Sequence, residues 1–224
     1  MKLLIIIPAY NEEESILKTV NDITSNNIRA DILVINDCST DNTEMLLKNN
    51  NINYISLPMN LGLTGAVQTG LKYAYLNDYD AAIQFDGDGQ HQAKFIPLML
   101  TTLSQGYDIV IGSRFVTKTK DKSLRMIGSR IISFLIKVTT GQRIMDPTSG
   151  MRMLNRKMIY DYAYNMNRRP EPDTLVYQIR HKAKVKEVQV DMSEREAGVS
   201  LYHGLGSSFK YMFNIIISIL FLSY

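Results

Sequence analysis

Asp86-Gly87-Asp88-Gly89-Gln90 follows directly on the apolar run Ala81-Ala82-Ile83-Gln84-Phe85. If this loop stayed extended, residues two apart would point the same way, and the oxygens of Asp86, Asp88 and Gln90 would converge. Hard oxygens so arranged suit a divalent cation such as Mg2+ or Mn2+, which takes one or two carboxylates and completes its shell with water and phosphate oxygens. The expected metal set is therefore Asp86, Asp88 and Gln90. Glycines at 87 and 89 let the backbone bend around a ligand at no steric cost. The same five residues also fit a solvated Asp-Gly turn closing a strand.

Two further polar clusters follow apolar runs in the same manner. Pro8–Glu12 comes after Leu3–Ile7, and Asp37–Asp41 after Asp31–Asn36. Up to about residue 112, short β-rich runs alternate with longer helical ones, the pattern of parallel strands joined by helical crossovers. Strands are expected at Leu3–Ile7, Asp31–Asn36, Asn53–Leu57, Ala81–Phe85 and Asp108–Ile111. Helices are expected at Glu12–Asn26, Asp41–Asn49, Thr64–Leu76 and Gln92–Leu103. Asn11 before Glu12-Glu13-Glu14 reads as a helix start, since carboxylates favour the positive end of the helix dipole. Ser39 and Asp41 punctuate a strand-to-helix turn. In such sheets ligands bind beyond the carboxyl ends of the strands, so the three polar loops should line one crevice.

The second half is less regular. Ser123–Thr140 mixes Ile127, Ile131, Ile132, Phe134, Leu135, Ile136 and Val138 with Arg125, Arg130 and Lys137. That composition fits an amphipathic helix at a membrane interface, or equally a core helix with a charged outer face. Asp146–Gly150 reads as a turn, Met151–Leu154 as a short strand, Lys157–Tyr164 and Asp173–His181 as helices, and Val185–Val190 as an edge strand. Cations cluster after residue 113: Arg114, Lys118, Lys120, Lys122, Arg125, Arg130, Lys137 and Arg143. Beside apolar segments, such a cluster suits phosphate groups or an anionic membrane surface.

The 224 residues, 45% apolar and 21% charged, fit one domain and argue against disorder. A net charge of +3 gives no reason to invoke nucleic acid. The lone Cys38 excludes an internal disulfide and favours a reducing compartment. No stretch reaches the roughly 18 apolar residues of a membrane span. The nearest, Met212–Leu222, reads as a membrane-surface or partner-docking helix, or as a spanning helix cut short. The expected organisation is a domain over 1–208 and an apolar tail over 209–224.

Several motifs stand in order: Ile6-Ile7-Pro8-Ala9-Tyr10-Asn11-Glu12-Glu13, Asn36-Asp37-Cys38-Ser39-Thr40-Asp41, Asn60-Leu61-Gly62, Asp86-Gly87-Asp88 and Gly112-Ser113-Arg114. In this series the chain resembles the inverting family 2 glycosyltransferases of GT-A fold, a mostly parallel, Rossmann-like sheet flanked by helices. Within them it is most similar to the polyprenyl-phosphate sugar transferases related to dolichol-phosphate mannosyltransferase. Asp146-Pro147-Thr148-Ser149-Gly150-Met151-Arg152 matches an acceptor-side segment. Arg195-Glu196-Ala197-Gly198-Val199-Ser200 matches a loop that covers bound phosphates.

The resemblance implies a nucleotide-sugar donor, UDP- or GDP-linked, held by Pro8, Tyr10, Glu12, Asp37, Asp86 and Arg195. Mg2+ or Mn2+ would sit at Asp86 and Asp88, with Gln90 as a further oxygen. The acceptor, a polyprenyl phosphate, would be gripped by Arg114, Arg125, Ser129 and Arg195, since guanidinium forks bind phosphate at two points. Asp88, Arg114 and Asp146 would carry the reaction, with Asp146 an orienting group or simply a cap on the Pro147 turn. Relatives in this subgroup carry spanning helices or borrow a small membrane protein, so contact with the cytoplasmic membrane face, peripheral or through the tail, is expected. Two features depart from the wider family. Asn36-Asp37-Cys38-Ser39 replaces the common Asp-Asp-Gly-Ser, and the absence of Trp removes the motif of processive polysaccharide synthases. The alternatives are a saccharide-hydroxyl acceptor, which would make Asp146 a general base, and a non-catalytic nucleotide-binding subunit.

Overall fold

A computed structural model describes residues 1–121, 123–165, 172–193 and 213–220. Seven strands form one sheet: β1 (Leu3–Ala9), β2 (Asp31–Asn36), β3 (Tyr54–Ser56), β4 (Ala81–Gln84), β5 (Ile109–Ser113), β6 (Arg152–Asn155) and β7 (Val185–Gln189). Their order across the sheet is β3-β2-β1-β4-β6-β5-β7. All pairings are parallel except those of β6, which runs antiparallel to both β4 and β5. The expected edge strand is β7, at one margin of the sheet.

Strands β1, β2 and β4 read as unbroken apolar runs because helices cover both faces of the sheet. Ile5, Ile7, Val34 and Ile83 point to the face lined by α1 (Ile16–Ser25), α2 (Thr43–Asn49) and α4 (Ile96–Ser104). Leu4, Ile6, Leu33 and Ile35 point to the other. That face is covered by α3 (Gly62–Leu76), α5 (Leu124–Thr140), α6 (Arg156–Tyr160) and α7 (Pro172–Arg180). Alternation along the strands thus builds two cores, one on each side.

Chain order reverses between β1 and β4, with β2 and β3 on one side and the later strands on the other. This switch point opens a crevice at the carboxyl edge. Pro8 sits there at no cost to the ladder. Even-numbered β1 residues face β4, as Ile6 O accepting Phe85 N–H shows, and odd-numbered ones face β2, where Ala9 O accepts Asp37 N–H. The missing donor of Pro8 therefore falls beyond the last β4 pairing, Ile6 with Gln84.

Three expectations about the elements need correction. Helix α1 begins at Ile16, not Glu12, because Asn11 takes a positive φ of 55° and the Glu12 carbonyl accepts from Ser15 and Ile16 in a preceding turn. The acidic run is consequently outside the helix. The Asp86–Gln90 loop is not extended but curls into a turn over residues 87–89, with Gly89 at φ 76°. The segment expected over Lys157–Tyr164 is α6 followed by a π-helical turn, Asp161–Asn165.

Residues 213–220 are helical, and the inner side of this helix packs back on the domain. Ile215 and Ile219 are buried in the same core as α5 and α7, and Ser218 Oγ donates to Asp173 Oδ2 at 2.6 Å. Phe213, Ile217 and Leu220 remain exposed on its outer side. Among the described residues, no helix is long and apolar enough to cross a membrane.

Helix α3 lies close on β1 at Gly70, where an added Cβ would stand 2.3 Å from Ile6 Cγ2. Gly70→Ala should therefore destabilise the fold by about 1–3 kcal/mol through overpacking. The measurement is a lowered urea midpoint with unchanged slope.

Candidate active site

The loops after β1, β2 and β4 are tied to one another by their own polar side chains. Asn11 N–H donates to Ser39 Oγ at 3.0 Å, and Asn11 Oδ1 accepts from Thr40 N–H at 2.8 Å. Glu12 N–H reaches Thr43 Oγ1 at 2.9 Å, and Glu13 Oε2 accepts from both the backbone and the side chain of Asn42. Asp41 takes Thr43 N–H and Glu13 N–H. Slight burial alone would raise its carboxyl, but these bonds hold it below its ordinary value. The acidic residues that resembled a helix start thus act as cross-links between two loops.

Asp37 is buried, and its Oδ1 accepts Leu61 N–H at 2.7 Å, fixing the Asn60-Leu61-Gly62 turn at the start of α3. Tyr10 is 48% exposed, so its ring is open to a stacking partner. Glu12 Oε2 accepts Ser15 Oγ–H at 2.6 Å. The β4 loop abuts this group: a Cβ on Gly87 would approach Pro8 O to 3.2 Å and Glu12 Cγ to 3.7 Å.

Within the β4 loop, Asp86 is held on three sides. Gln84 Nε2 donates to Oδ1 at 3.0 Å, and His91 Nε2 lies 3.5 Å from Oδ2. Asp86 N–H donates to His91 Nδ1 at 2.9 Å, which leaves the ring proton on Nε2, facing the carboxylate. Asp88 Oδ1 accepts Gln90 N–H at 3.1 Å, and Gln90 O accepts Ser193 N–H. Among the described residues, no three His, Cys, Asp or Glu side chains gather to hold an ion. The hard carboxylates of Asp86 and Asp88 nonetheless fit Mg2+ or Mn2+, which needs few protein ligands where phosphate oxygens and water supply the rest.

The antiparallel course of β6 brings the second half of the chain to this crevice. Because β6 runs against its neighbours, the loop before it, not after it, arrives at the carboxyl edge of β4 and β5. Asp146–Gly150 lands beside the β4 loop, and a Cβ on Gly150 would stand 3.0 Å from Asp86 Oδ2. Ser149 Oγ donates to Gly112 O at 2.6 Å, and the buried Arg152 binds the carbonyls of Pro147 and Ser149.

Asp146 is fully buried. Its Oδ2 accepts Arg114 Nε–H at 2.7 Å and Arg114 N–H at 3.1 Å, and its Oδ1 accepts Arg114 Nη2–H at 2.9 Å. Burial by itself would lower the Arg114 pKa, but the Asp146 hydrogen bonds and charge raise it above the usual arginine value. Both Asp146 oxygens are thus in the grip of one guanidinium. Glu187 on β7 holds the pair from behind, accepting Met145 N–H at 2.6 Å and Asp146 N–H at 2.7 Å. Gln189, also on β7, accepts Thr117 N–H and donates to Arg114 O.

Sequence reasoning missed Gln84, Glu187 and Gln189, which support their neighbours through backbone or carboxylate contacts. The alternation of Glu187 and Gln189 on a strand expected to be an edge was the only available signal. Ser129 is buried in α5, and its Oγ accepts Lys120 Nζ–H at 2.7 Å. Arg125 falls in the first turn of α5. Its side chain, with Lys122, Arg195 and the Arg195–Ser200 loop, lies outside the described residues.

The sequence model of Glycosyl transferase family 2 matches residues 4–163, and the chain belongs to that family. A dolichyl-phosphate N-acetylglucosaminyltransferase of Methanococcus voltae, which uses UDP-N-acetylglucosamine, is 30% identical over 69% of this chain and 70% of its own. An undecaprenyl-phosphate mannosyltransferase of Micrococcus luteus is 29% identical over 91% of this chain and 88% of its own. The fold, a GT-A-type sheet, matches glucosyl-3-phosphoglycerate synthase of Mycobacterium tuberculosis in complex with Mn2+ and UDP-glucose. That match has a TM-score of 0.73 and 17% identity, over 100% of this chain and 80% of that one.

Two substitutions separate structural support from chemistry. Asp146→Ala strands a largely buried guanidinium and should lower stability on the order of 2–3 kcal/mol, read from denaturant unfolding. Gly150→Ala should leave folding nearly intact but push Asp86 aside. Binding of UDP in the presence of Mn2+, followed calorimetrically, should then weaken several-fold.

Proposed function

We propose that this family 2 glycosyltransferase moves one sugar, with inversion, from a UDP- or GDP-linked donor to a polyprenyl phosphate at the cytoplasmic face of a membrane. The observation that carries this reading is the saturation of Asp146 by Arg114. A saccharide-hydroxyl acceptor requires a general base, and the acceptor-side carboxylate is committed to a guanidinium. A phosphate monoester is anionic near neutral pH and needs no base. Its oxygen forms the new bond to the anomeric carbon as the bond to the nucleoside diphosphate breaks, and positioning with electrostatics supplies most of the acceleration.

On the donor side, Tyr10 offers a stacking face and Glu12 an acceptor for ribose hydroxyls, while Asp37 shapes the base end of the crevice. Asp86 and Asp88 would hold Mg2+ or Mn2+, with Gln90 as a further oxygen, and the ion would neutralise charge on the departing diphosphate. Arg195 would close over the same phosphates. On the acceptor side, Arg114 and Arg125 supply the positive charge toward which the lipid phosphate is drawn, with Ser129 adding a hydroxyl.

Contact with the bilayer is supported by an exposed stripe on α5, where Ile127, Ile131, Phe134 and Val138 follow one another at helical spacing beside Arg130 and Lys137. Apolar residues flanked by cations suit the interface of an anionic leaflet. The outer residues of the 213–220 helix, Phe213, Ile217 and Leu220, extend the apolar surface available for such contact or for a small membrane protein. A pair of carboxylates at the donor edge disfavours a subunit without catalysis.

The test is a panel of radiolabelled nucleotide sugars offered with undecaprenyl phosphate and Mg2+ or Mn2+. Label should pass into an organic-extractable, mild-acid-labile product, and label remaining in water-soluble glycan would refute the acceptor. Chelation of the metal should abolish transfer. Asp88→Ala should reduce it by at least 100-fold, on the order expected when a group that stabilises leaving-group charge is lost, with the far-UV circular dichroism of a folded chain retained.

A further inference from the structure

We propose that Lys120 is the side chain that meets the acceptor's phosphate, with Ser133 and Arg130 beside it, and that Ser129 and Arg114 stand behind it as supports. This rests on the polyprenyl-phosphate reading above and names the contact that the acceptor makes. A cavity of about 600 Å³ opens between the chain after β5 and helix α5. Lys118, Lys120, Arg130, Lys137 and Arg143 line it, Lys118 being paired with Asp191, and among the described residues no carboxylate does. Exposed Val116 and Phe134 complete its wall. An anion carrying an apolar chain is the ligand class that such a lining recognises.

Of the described residues that the sequence pointed to, neither Arg114 nor Ser129 lines this cavity. Arg114 has two guanidinium nitrogens engaged by Asp146, and Ser129 is buried with its hydroxyl facing Lys120. Lys120 does line the cavity, and its ammonium is held in place before any ligand arrives. It donates to Ser129 Oγ at 2.7 Å and to Ser133 Oγ at 3.3 Å, and it lies 5.3 Å from the centre of the Phe115 ring. Arg130 Nη2 clamps the Lys120 carbonyl at 2.6 Å, fixing the backbone from which the side chain projects. Two of the three ammonium protons are thus taken by hydroxyls, which leaves the third for an anion. Burial holds the ammonium below the ordinary lysine value. Arg114 and Arg130 add to that effect, and Asp146 and Glu187 oppose it. An arriving phosphate relieves the repulsion among these cations.

Calorimetric titration of the full chain with farnesyl monophosphate, inorganic phosphate and farnesol tests the assignment. Binding of UDP with Mn2+ serves as the reference for an intact donor side. The unmodified protein should bind farnesyl monophosphate more tightly than inorganic phosphate and farnesol. Lys120→Met and Lys120→Gln should each weaken farnesyl monophosphate by about 10- to 100-fold, the scale of a charged hydrogen bond. Lys120→Arg should restore most of that loss, and UDP binding should hold throughout. Ser129→Ala should weaken farnesyl monophosphate clearly less than Lys120→Met does. Wild-type affinity in whichever of Lys120→Met and Lys120→Gln is folded would overturn the proposal, as would an equal or larger loss in Ser129→Ala. Equal affinity for inorganic and farnesyl phosphate would overturn the lipid component. An unmodified protein that binds UDP but not farnesyl monophosphate would instead overturn the acceptor reading itself.

Discussion

The ion pair between Arg114 and Asp146 is the contact around which both halves of the site are arranged. Arg114 leaves the carboxyl end of β5, and Asp146 opens the turn that leads into β6. Their two-point hydrogen bonding fixes the distance between those segments, and Glu187 fixes it again from the β7 side through the backbone of Met145 and Asp146. A carboxylate with no exposure is tolerable only when its charge and lone pairs are met, and Arg114 meets them at both oxygens. The consequence is chemical as well as structural. Both oxygens of this carboxylate are committed to a guanidinium, which is the basis for proposing an acceptor that requires no base.

The donor edge has a different physical logic. There the loops after β1, β2 and β4 are joined by many short polar contacts, and the glycines at 87 and 150 let the loops approach to within van der Waals distance. Asp86 is pinned by Gln84, His91 and the Gly150 turn, and the buried Asp88, at the curl of the loop, accepts Gln90 N–H. The acceptor side, by contrast, is rich in cations and bordered by apolar side chains of α5. Opposite charge preferences on the two sides suit the proposed reaction between a nucleotide-sugar donor and an anionic, chain-bearing acceptor.

Much of this was legible in the residues. The β1, β2 and β4 runs, the crossover helices and the three polar loops fall where apolar periodicity and turn chemistry put them, because local spacing alone decides which residues face a core. The boundaries failed where side chains had a second use. Glu12, Glu13 and Glu14 look like the first turn of a helix, yet Glu12 and Glu13 are engaged by Ser15, Asn42 and their loop neighbours, so α1 starts later. The extended course expected of Asp86–Gln90 gave way to a turn, since the positive φ of Gly89 is as available to the chain as an extended one. The apolar segment near the end of the chain reads as a membrane- or partner-associated tail. Within it, Ile215 and Ile219 are buried in the core shared with α7, a contact between segments with no local signature.

By itself the sequence determined the family, the sheet with its carboxyl-edge loops, and the inventory of carboxylates and cations that the chemistry needs. The family follows from the resemblance of its ordered motifs, and the rest from composition and spacing, which act over a few residues at a time. Tertiary structure alone decided which of those groups meet. The antiparallel entry of β6 carries Asp146–Gly150 to the edge where Asp86 lies, the guanidinium of Arg114 closes on Asp146, and the ammonium of Lys120 turns inward onto Ser129 and Ser133. Each of these is a pairing between residues far apart in the chain or aimed by packing, and the strength of a charge pair depends on burial and distance, which exist only once the chain has folded.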